Sequence, residues 1–338
     1  MEHDHLDRQT DYLSKSNTNN IKGIFAVLVV LCHIWGRIAA DVNTSNFIIA
    51  NLGRLFSIMG YISVSIFFFI SGYGLMLQYK EKGREYIKKF PKRNILPLYI
   101  INIILIIAYS LFYFFLEDAF SLRVFIQSFF FGKTVVSNGW YLQAILLFYL
   151  AYYLVFMLIK RDGLKLGVLG LFLSAYCILC GLFLKLSSTW YECSFTFLLG
   201  MVWYNYRAKV EDFLKKRSRY IFCLVSSFVA FVVLCYSSMT FSLRGMEVVL
   251  KIFSTIVFCA LVLLIIMKIK VKNVITAFLG KLYLEIYVLQ GFFLNVFKSN
   301  ALNIHNPLLY GLTVMACTIL VAYILHPLFQ KIIKVFKK

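Results

Sequence analysis

The chain has 338 residues, of which 61% are hydrophobic, 18% are aromatic and only 15% are charged. This composition cannot cover the surface of a soluble globular protein, so it excludes that class and predicts a protein whose solvent is the lipid bilayer. A membrane-spanning helix needs about 20 apolar residues, so the chain has room for about ten spans with short connections and no separate soluble domain.

Residues 1–20 form the first predicted element, a polar tail that we expect to be disordered and cytosolic. Ten apolar stretches follow it. Lipid cannot satisfy backbone polar groups, so we predict that each stretch is a helix and that the fold class is all-α, a polytopic membrane protein. The predicted spans are at about Ile21–Ile38, Ile58–Tyr79, Ile95–Leu116, Trp140–Ile159, Leu166–Leu184, Trp190–Tyr206, Tyr220–Met239, Val248–Met267, Ile275–Phe297 and Leu308–Phe329.

The lysines and arginines of the connections predict the orientation, because cytosolic loops of membrane proteins carry an excess of positive charge. One set of alternating segments holds 25 of these residues and the opposite set holds 7. The rich set includes Lys80–Arg93 and Arg207–Arg219, which we predict to be cytosolic, and the poor set includes Glu117–Gly139, which we predict to be external. The rich set includes both termini, so we predict that the N-terminus and the basic C-terminus, residues 331–338, are cytosolic. The same asymmetry accounts for the net charge of +20 without any nucleic-acid partner.

His33 is the histidine predicted to lie deepest within a span, where an ionisable side chain costs at least ~2.5 kcal/mol unless it meets a partner or water. Lys22 precedes it by eleven residues. On a helix this spacing puts both side chains within about 20° of one face and roughly 16 Å apart. We expect Lys22 at the cytosolic rim, where the free helix N-terminus would also favour a phosphate, and His33 near mid-membrane.

These features resemble the acyltransferase-3 family of bacterial membrane O-acyltransferases, whose first helix carries an arginine, ten residues and a histidine. Lys22 takes the place of the arginine here. Similar motifs follow along the chain, although the family's Arg-x-x-Arg spacing is not reproduced near Lys92-Arg93, and Gln290 stands where the late helix often has a histidine. The remaining matching segments are Phe67–Gly74, Lys92–Tyr99, Asn138–Leu142, Phe197–Gly200 and Leu279–Gln290.

The resemblance implies a transmembrane acyltransferase domain over residues 21–330, which moves an acetyl or other acyl group from acetyl-CoA to a hydroxyl of a cell-envelope polysaccharide or glycolipid. It implies His33 as the catalytic base, because a neutral imidazole can take the hydroxyl proton and return it to the leaving thiolate. An acyl-His33 intermediate is an alternative route. The expected setting is the cytoplasmic membrane, with the bilayer, acetyl-CoA and the glycan as partners.

The other site residues are assigned on the same basis. Glu285 would orient the imidazole of His33 through its second nitrogen, and no metal is expected. Lys22, Lys92 and Arg93 would bind the coenzyme, whereas Trp140 and Tyr141 would bind the sugar.

Simpler interpretations stay open for several of these residues. Lys22 could be a positive anchor at the membrane surface, and Lys281 and Glu285 could neutralise each other four residues apart. Trp140 and Tyr141 could belong to the interfacial aromatic belt. Glu192 is interpreted as a solvated helix end, and Gly72 as a residue that allows close helix packing.

Two other classes of function stay open at this stage. A proton-coupled transporter or flippase could use His33 and Glu285 as a proton relay. The chain shows no obvious inverted repeat or paired broken helices, which weighs against common transporter designs. A polymerase-like glycosyltransferase is the third class, and the predicted outer loops are short for it.

Overall fold

A computed structural model of the chain describes residues 12–40, 42, 47–115, 120–241, 245–299 and 302–336. Within these ranges the regular structure is helical and contains no strand, which confirms the all-α class. Two π-helical turns, Pro91–Ile95 and Leu179–Phe183, and a short 3-10 turn, Ser188–Trp190, interrupt the α-helices. In chain order the α-helices are α1 Lys15–Ile38, α2 Phe47–Phe90, α3 Leu96–Phe115, α4 Leu122–Gln127, α5 Trp140–Leu158, α6 Asp162–Ile178, α7 Ser194–Leu214, α8 Arg217–Thr240, α9 Met246–Lys268, α10 Val274–Lys281, α11 Tyr283–Val296 and α12 Pro307–Val335.

The first helix begins at Lys15, so the prediction that residues 15–20 are disordered is wrong. Polar side chains stabilise this start: Ser14 Oγ accepts a hydrogen bond from the backbone N–H of Asn17 at 3.3 Å. Asn20 is buried, and its Oδ1 accepts hydrogen bonds from Thr276 Oγ1 at 2.7 Å and from the N–H of Asn273 at 3.2 Å. Residues 1–11 of the predicted tail lie outside the described residues.

Among the described residues, seven helical segments are long and apolar enough to cross a membrane, and the interrupted pair α10–α11 makes an eighth if it counts as one span. One of the seven, Ile49–Phe115, has 67 residues. That is roughly 100 Å of helix, whereas the hydrocarbon core is about 30 Å thick, so this segment accounts for two predicted stretches. Each predicted stretch falls largely on helix, and the count of ten crossings stays a prediction.

The basic segment Lys80–Arg93, predicted as a cytosolic loop, is helical except for a break at Gly83. Gly83 has φ of 61°, a conformation that residues with a Cβ atom adopt only with strain. Beyond the break, Ile87 and Phe90 are fully buried while Lys88 and Lys89 are exposed. One face of the segment therefore packs against the protein.

The predicted span Ile275–Phe297 is interrupted at Leu282, which has φ of −96° and ψ of 5° and separates α10 from α11. Glu285 is the third residue of the second piece. A straight helix over this span would put Glu285 about 15 Å from Ile275, at a depth similar to that expected of His33, and the break at Leu282 makes that expectation wrong.

The chain divides into two compact units. The first consists of the chain up to Phe25, Tyr61–Gly83 and Arg161–Lys281, and the second of Ala26–Gly60, Arg84–Lys160 and Leu282–Lys338. In the first unit α8 packs along α9, and in the second α11 packs along α12, which also contacts α3.

Glycines bring the helices of the first unit into backbone contact. A Cβ atom added to Gly72 on α2 would overlap the carbonyl oxygen of Phe197 on α7, and one added to Gly200 would overlap that of Phe69. The same relation joins α1 to α10, where a Cβ atom on Gly23 or Gly280 would overlap a backbone carbonyl of the other helix. Two segments that resemble the family motifs, Phe67–Gly74 and Phe197–Gly200, are therefore partners in one helix crossing.

The orientation of the chain stays a prediction that cysteine labelling can check. In a background without the native cysteines, Glu81→Cys and Lys209→Cys should react with a membrane-impermeant maleimide only after the cells are permeabilised. Lys133→Cys, in a segment predicted to be external, should react in intact cells. All three positions are exposed. Labelling of Lys209→Cys in intact cells would contradict the predicted topology.

Candidate functional site

His33 lies on α1, five residues before the helix ends at Ile38. It is therefore only about 7.5 Å from the C-terminal end of the helix, and nearer to that end than to the middle. The imidazole is half-buried, beside the buried residues Val29, Val30 and Ile34. Among the described residues it has no hydrogen-bond partner. Both ring nitrogens are consequently available for proton transfer.

Arg37 follows His33 by one turn of α1, and its guanidinium is exposed. Its Nη2 donates a hydrogen bond to Oδ1 of Asn295 on α11 at 2.7 Å. Asn295 in turn donates through Nδ2 to Tyr113 Oη on α3 at 2.9 Å and to Ser137 Oγ, just before α5, at 2.8 Å. This set of four residues, the Arg37 network, fastens the C-terminal end of α1 to three other segments of the second unit.

Lys22 belongs to the first unit and is half-buried. It lies seven residues, about 10 Å, inside α1, because the helix begins at Lys15. The prediction of a free helix N-terminus at Lys22 is therefore wrong, since the backbone N–H groups there are inside the helix. The feature that could still attract a phosphate is the positive charge of Lys22 itself. The next residue, Gly23, packs closely against the backbone of Thr276.

Glu285 is buried on α11, and its Oε1 lies 2.7 Å from Nδ1 of His326 on α12. His326 is one-quarter exposed. Glu285 was predicted to orient His33, but His326 is the hydrogen-bond partner that it has among the described residues. Its place in the first turn of α11 also favours a negative charge, because the positive end of the helix dipole is there. Lys281 is exposed and lies on the other side of the helix break.

Gln290, which stands where the family often has a histidine, is fully buried on α11. Its Nε2 donates a hydrogen bond to the carbonyl oxygen of Tyr287 at 3.1 Å. Its Oε1 has no hydrogen-bond partner among the described residues. An amide oxygen buried in this way is costly unless water or a ligand supplies a donor.

The two predicted sugar-binding aromatic residues differ in their surroundings. Trp140 is the first residue of α5 and is partly exposed. Tyr141 is buried, and its ring centroid lies 4.8 Å from that of Tyr287. Tyr141 therefore contributes to packing, whereas Trp140 has exposed surface that a ligand can contact.

Lys92 and Arg93 lie on the π-helical turn Pro91–Ile95. Pro91 begins this turn and Pro97 lies two residues after its end, and neither can donate a helical hydrogen bond because proline lacks a backbone N–H. Lys92 is exposed and Arg93 is half-exposed. Neither has a hydrogen bond or salt bridge within the part of the chain that the structure describes.

The second unit thus brings His33 close to Arg37, and Glu285 close to His326. Sequence reasoning missed the roles of Arg37 and His326. The four-residue spacing of His33 and Arg37 was a usable signal, since it puts both on one helix face. The pairing of Glu285 with His326, 41 residues away, had no comparable local signal.

The acyltransferase-3 family model, described as an acyltransferase domain, matches residues 16–326 of the chain. The curated proteins and the solved structures contain no significant match. The matched range includes all the site residues described above. The chain therefore belongs to the acyltransferase-3 family.

Proposed function

We propose that this acyltransferase transfers an acetyl group from cytosolic acetyl-CoA to a hydroxyl group of a cell-envelope polysaccharide or glycolipid, in the cytoplasmic membrane. The observation that carries the proposal is the half-buried imidazole of His33, without a hydrogen-bond partner among the described residues, on the first helix of a chain of this family. A charged coenzyme cannot cross the bilayer, whereas envelope glycans are displayed outside. A base within the membrane domain can be reached by the coenzyme from the cytosol and by the glycan from outside.

In the proposed reaction, one nitrogen of His33 removes the proton from the acceptor hydroxyl. The hydroxyl oxygen attacks the thioester carbonyl carbon, and a C–O bond forms as the C–S bond breaks. The imidazolium then gives its proton to the departing thiolate of coenzyme A. His33 returns to its neutral form, so each turnover consumes one thioester and yields one ester and one thiol.

On the donor side we propose that Lys22, Lys92 and Arg93 bind the phosphates of coenzyme A. All three are cations, and the two on the π-helical turn have no salt-bridge partner among the described residues. Arginine suits phosphate through its two-pronged geometry, while lysine acts as a point charge. In the same proposal Trp140 is the surface on which the acceptor sugar stacks.

We retain Glu285 in the proposal with a modified role, outside the proton transfer that His33 performs. Its carboxylate accepts a hydrogen bond from His326 or shares a proton with it, at 2.7 Å. The pair can hold a proton within the membrane domain and release it on the side from which His326 is reached. A direct contact with His33 is not needed for this role.

The hydrogen-bonded pair of buried Glu285 and His326 is also the observation that favours the alternative function, a proton-coupled transporter or flippase of a glycan precursor. The two functions differ in their need for a gradient. Purified protein in detergent should transfer labelled acetyl from acetyl-CoA to envelope glycan without any membrane. Mass spectrometry of envelope glycan with and without the gene should show loss of acetyl esters. Absence of both effects would favour transport.

Lys22→Gln should weaken acetyl-CoA binding by roughly tenfold to a hundredfold, because a charged hydrogen bond to phosphate contributes ~1.5–3 kcal/mol. Lys22→Arg should retain most of the affinity, since charge and approximate reach survive. Isothermal titration calorimetry in detergent measures both. Lys15→Gln is the matched control, because it removes the same charge from an exposed position on the same helix. Equal affinity of Lys22→Gln and wild type would leave Lys22 as a membrane anchor.

A further inference from the structure

Arg37 is held in a fixed position by a neutral group. Its guanidinium has five N–H donors, and the hydrogen bond to Asn295 is the one that the described residues provide. No carboxylate among these residues lies within salt-bridge distance of it. Arginine is always charged, so a guanidinium without an acidic partner in the described part of the chain can bind an external anion.

The orientation of Asn295 is set by its own neighbours. Its Nδ2 donates to Tyr113 Oη and Ser137 Oγ, so both amide hydrogens are in use and Oδ1 is the atom turned to Arg37. The Arg37 network therefore presents a preorganised guanidinium, which loses less side-chain entropy when it binds an anion.

His33 and this guanidinium share a helix face. Four residues along a helix correspond to a rotation of about 40° and a rise of about 6 Å. When an anionic group of a ligand binds to Arg37, a second group of the same ligand, about 6 Å away, can therefore reach the imidazole of His33. Trp140, partly exposed, follows Ser137 of the network by three residues.

A second cation lies on the same unit. Lys298 Nζ is 5.3 Å from the ring centroid of Tyr310, whose Oη donates a hydrogen bond to the carbonyl oxygen of Leu294. Leu294 directly precedes Asn295 of the network. The hydrogen bond of Tyr310 joins α12 to the part of α11 that carries Asn295.

We propose that Arg37 is the anion subsite for the acceptor, and that the acceptor glycan carries a carboxylate or phosphate group close to the hydroxyl that His33 deprotonates. This inference rests on the proposed function and names its substrate class. A lipid phosphate presents the same chemistry to Arg37, so the experiment must separate glycan from lipid.

The test compares two forms of one acceptor. Envelope glycan from a strain without the gene is used as isolated, and after carboxyl reduction and removal of phosphate with hydrofluoric acid. Acetyl transfer is measured with purified protein, in a neutral detergent and in nanodiscs with and without anionic lipid. Wild-type protein should show a KM about tenfold higher for the neutralised glycan, with kcat changed less than about twofold.

Arg37→Gln should raise KM for the native glycan by about tenfold and leave KM for the neutralised glycan unchanged, while Arg37→Lys should lie between. Arg54→Gln, which removes an arginine from α2 in the same unit, should behave as wild type. If Arg37→Gln does not fold, the KM values of wild-type protein for the two glycans still decide whether the acceptor is bound through an anionic group.

Three results would overturn the inference. Wild-type protein could use both glycans with equal KM, Arg37→Gln could lower kcat equally for both, or the effect could appear only with anionic lipid. The first excludes an anionic acceptor, the second indicates a role in the reaction step or the fold, and the third identifies lipid as the ligand. Failure of the proposed function looks different, because wild-type protein would then acetylate neither glycan.

Discussion

His33→Ala should lower acetyl transfer by at least a hundredfold while the protein keeps its normal abundance. Proton transfer by a positioned side chain contributes about 10²–10⁴ in rate, and alanine can neither accept nor return the proton. The imidazole has no hydrogen-bond partner among the described residues, so its removal breaks no contact of that kind. Transfer of labelled acetyl from acetyl-CoA to envelope glycan, with purified protein in detergent, measures the loss.

Two comparisons make this result specific. His305→Ala removes an exposed imidazole outside the helices and should have no effect. The melting temperature of His33→Ala in detergent should stay within about 2 °C of wild type, as for a substitution that breaks no hydrogen bond of the described residues. Activity of His33→Ala close to wild type would move the chemistry elsewhere. Glu285 and His326 would then be the acid–base pair to examine, and the transporter function would regain support.

Local physics explains why the helices were predictable. The predicted span Val248–Met267 agrees within two residues with α9 Met246–Lys268, and Tyr220–Met239 lies within α8 Arg217–Thr240. An apolar run of this length has one way to satisfy its backbone in lipid, so composition and length are sufficient. Helix ends set by tertiary contacts were not predictable. The polar start of α1 contacts α10, where Asn20 accepts a hydrogen bond from Thr276, which is distant in sequence.

The relative placement of the candidate site residues was predictable only where they share a helix. His33 and Lys22 occur on one uninterrupted helix, as the sequence required. Glu285 was identified, but its partner His326 depends on how α11 packs along α12. Glu192, interpreted as a solvated helix end, is buried and accepts a hydrogen bond from Ser188 Oγ at 2.9 Å. In both failures a contact with a segment distant in sequence matters, since Glu192 also lies 3.8 Å from Nζ of Lys251 on α9.

Gly72 was interpreted as a residue for close helix packing, and the structure turns that interpretation into a measurable prediction. Gly72→Ala should reduce the amount of folded protein severely, because the new methyl group would overlap the carbonyl oxygen of Phe197 on α7. Backbone cannot move aside as a flexible side chain can. Overpacking of this kind costs about 1–3 kcal/mol or more. Fluorescence-detected size-exclusion chromatography and the melting temperature in detergent measure the loss.

Gly74→Ala is the matched control, since it makes the same change two residues along α2 with no atom within 4 Å of the new methyl group. It should be as stable as wild type or slightly more stable, because alanine favours helix over glycine by about 1 kcal/mol. Gly200→Ala should behave like Gly72→Ala, since its methyl group meets Phe69 from the other side of the same crossing. If Gly72→Ala and Gly74→Ala melt at the same temperature, α2 and α7 do not approach at these glycines, and the resemblance of both segments to the family needs another physical explanation.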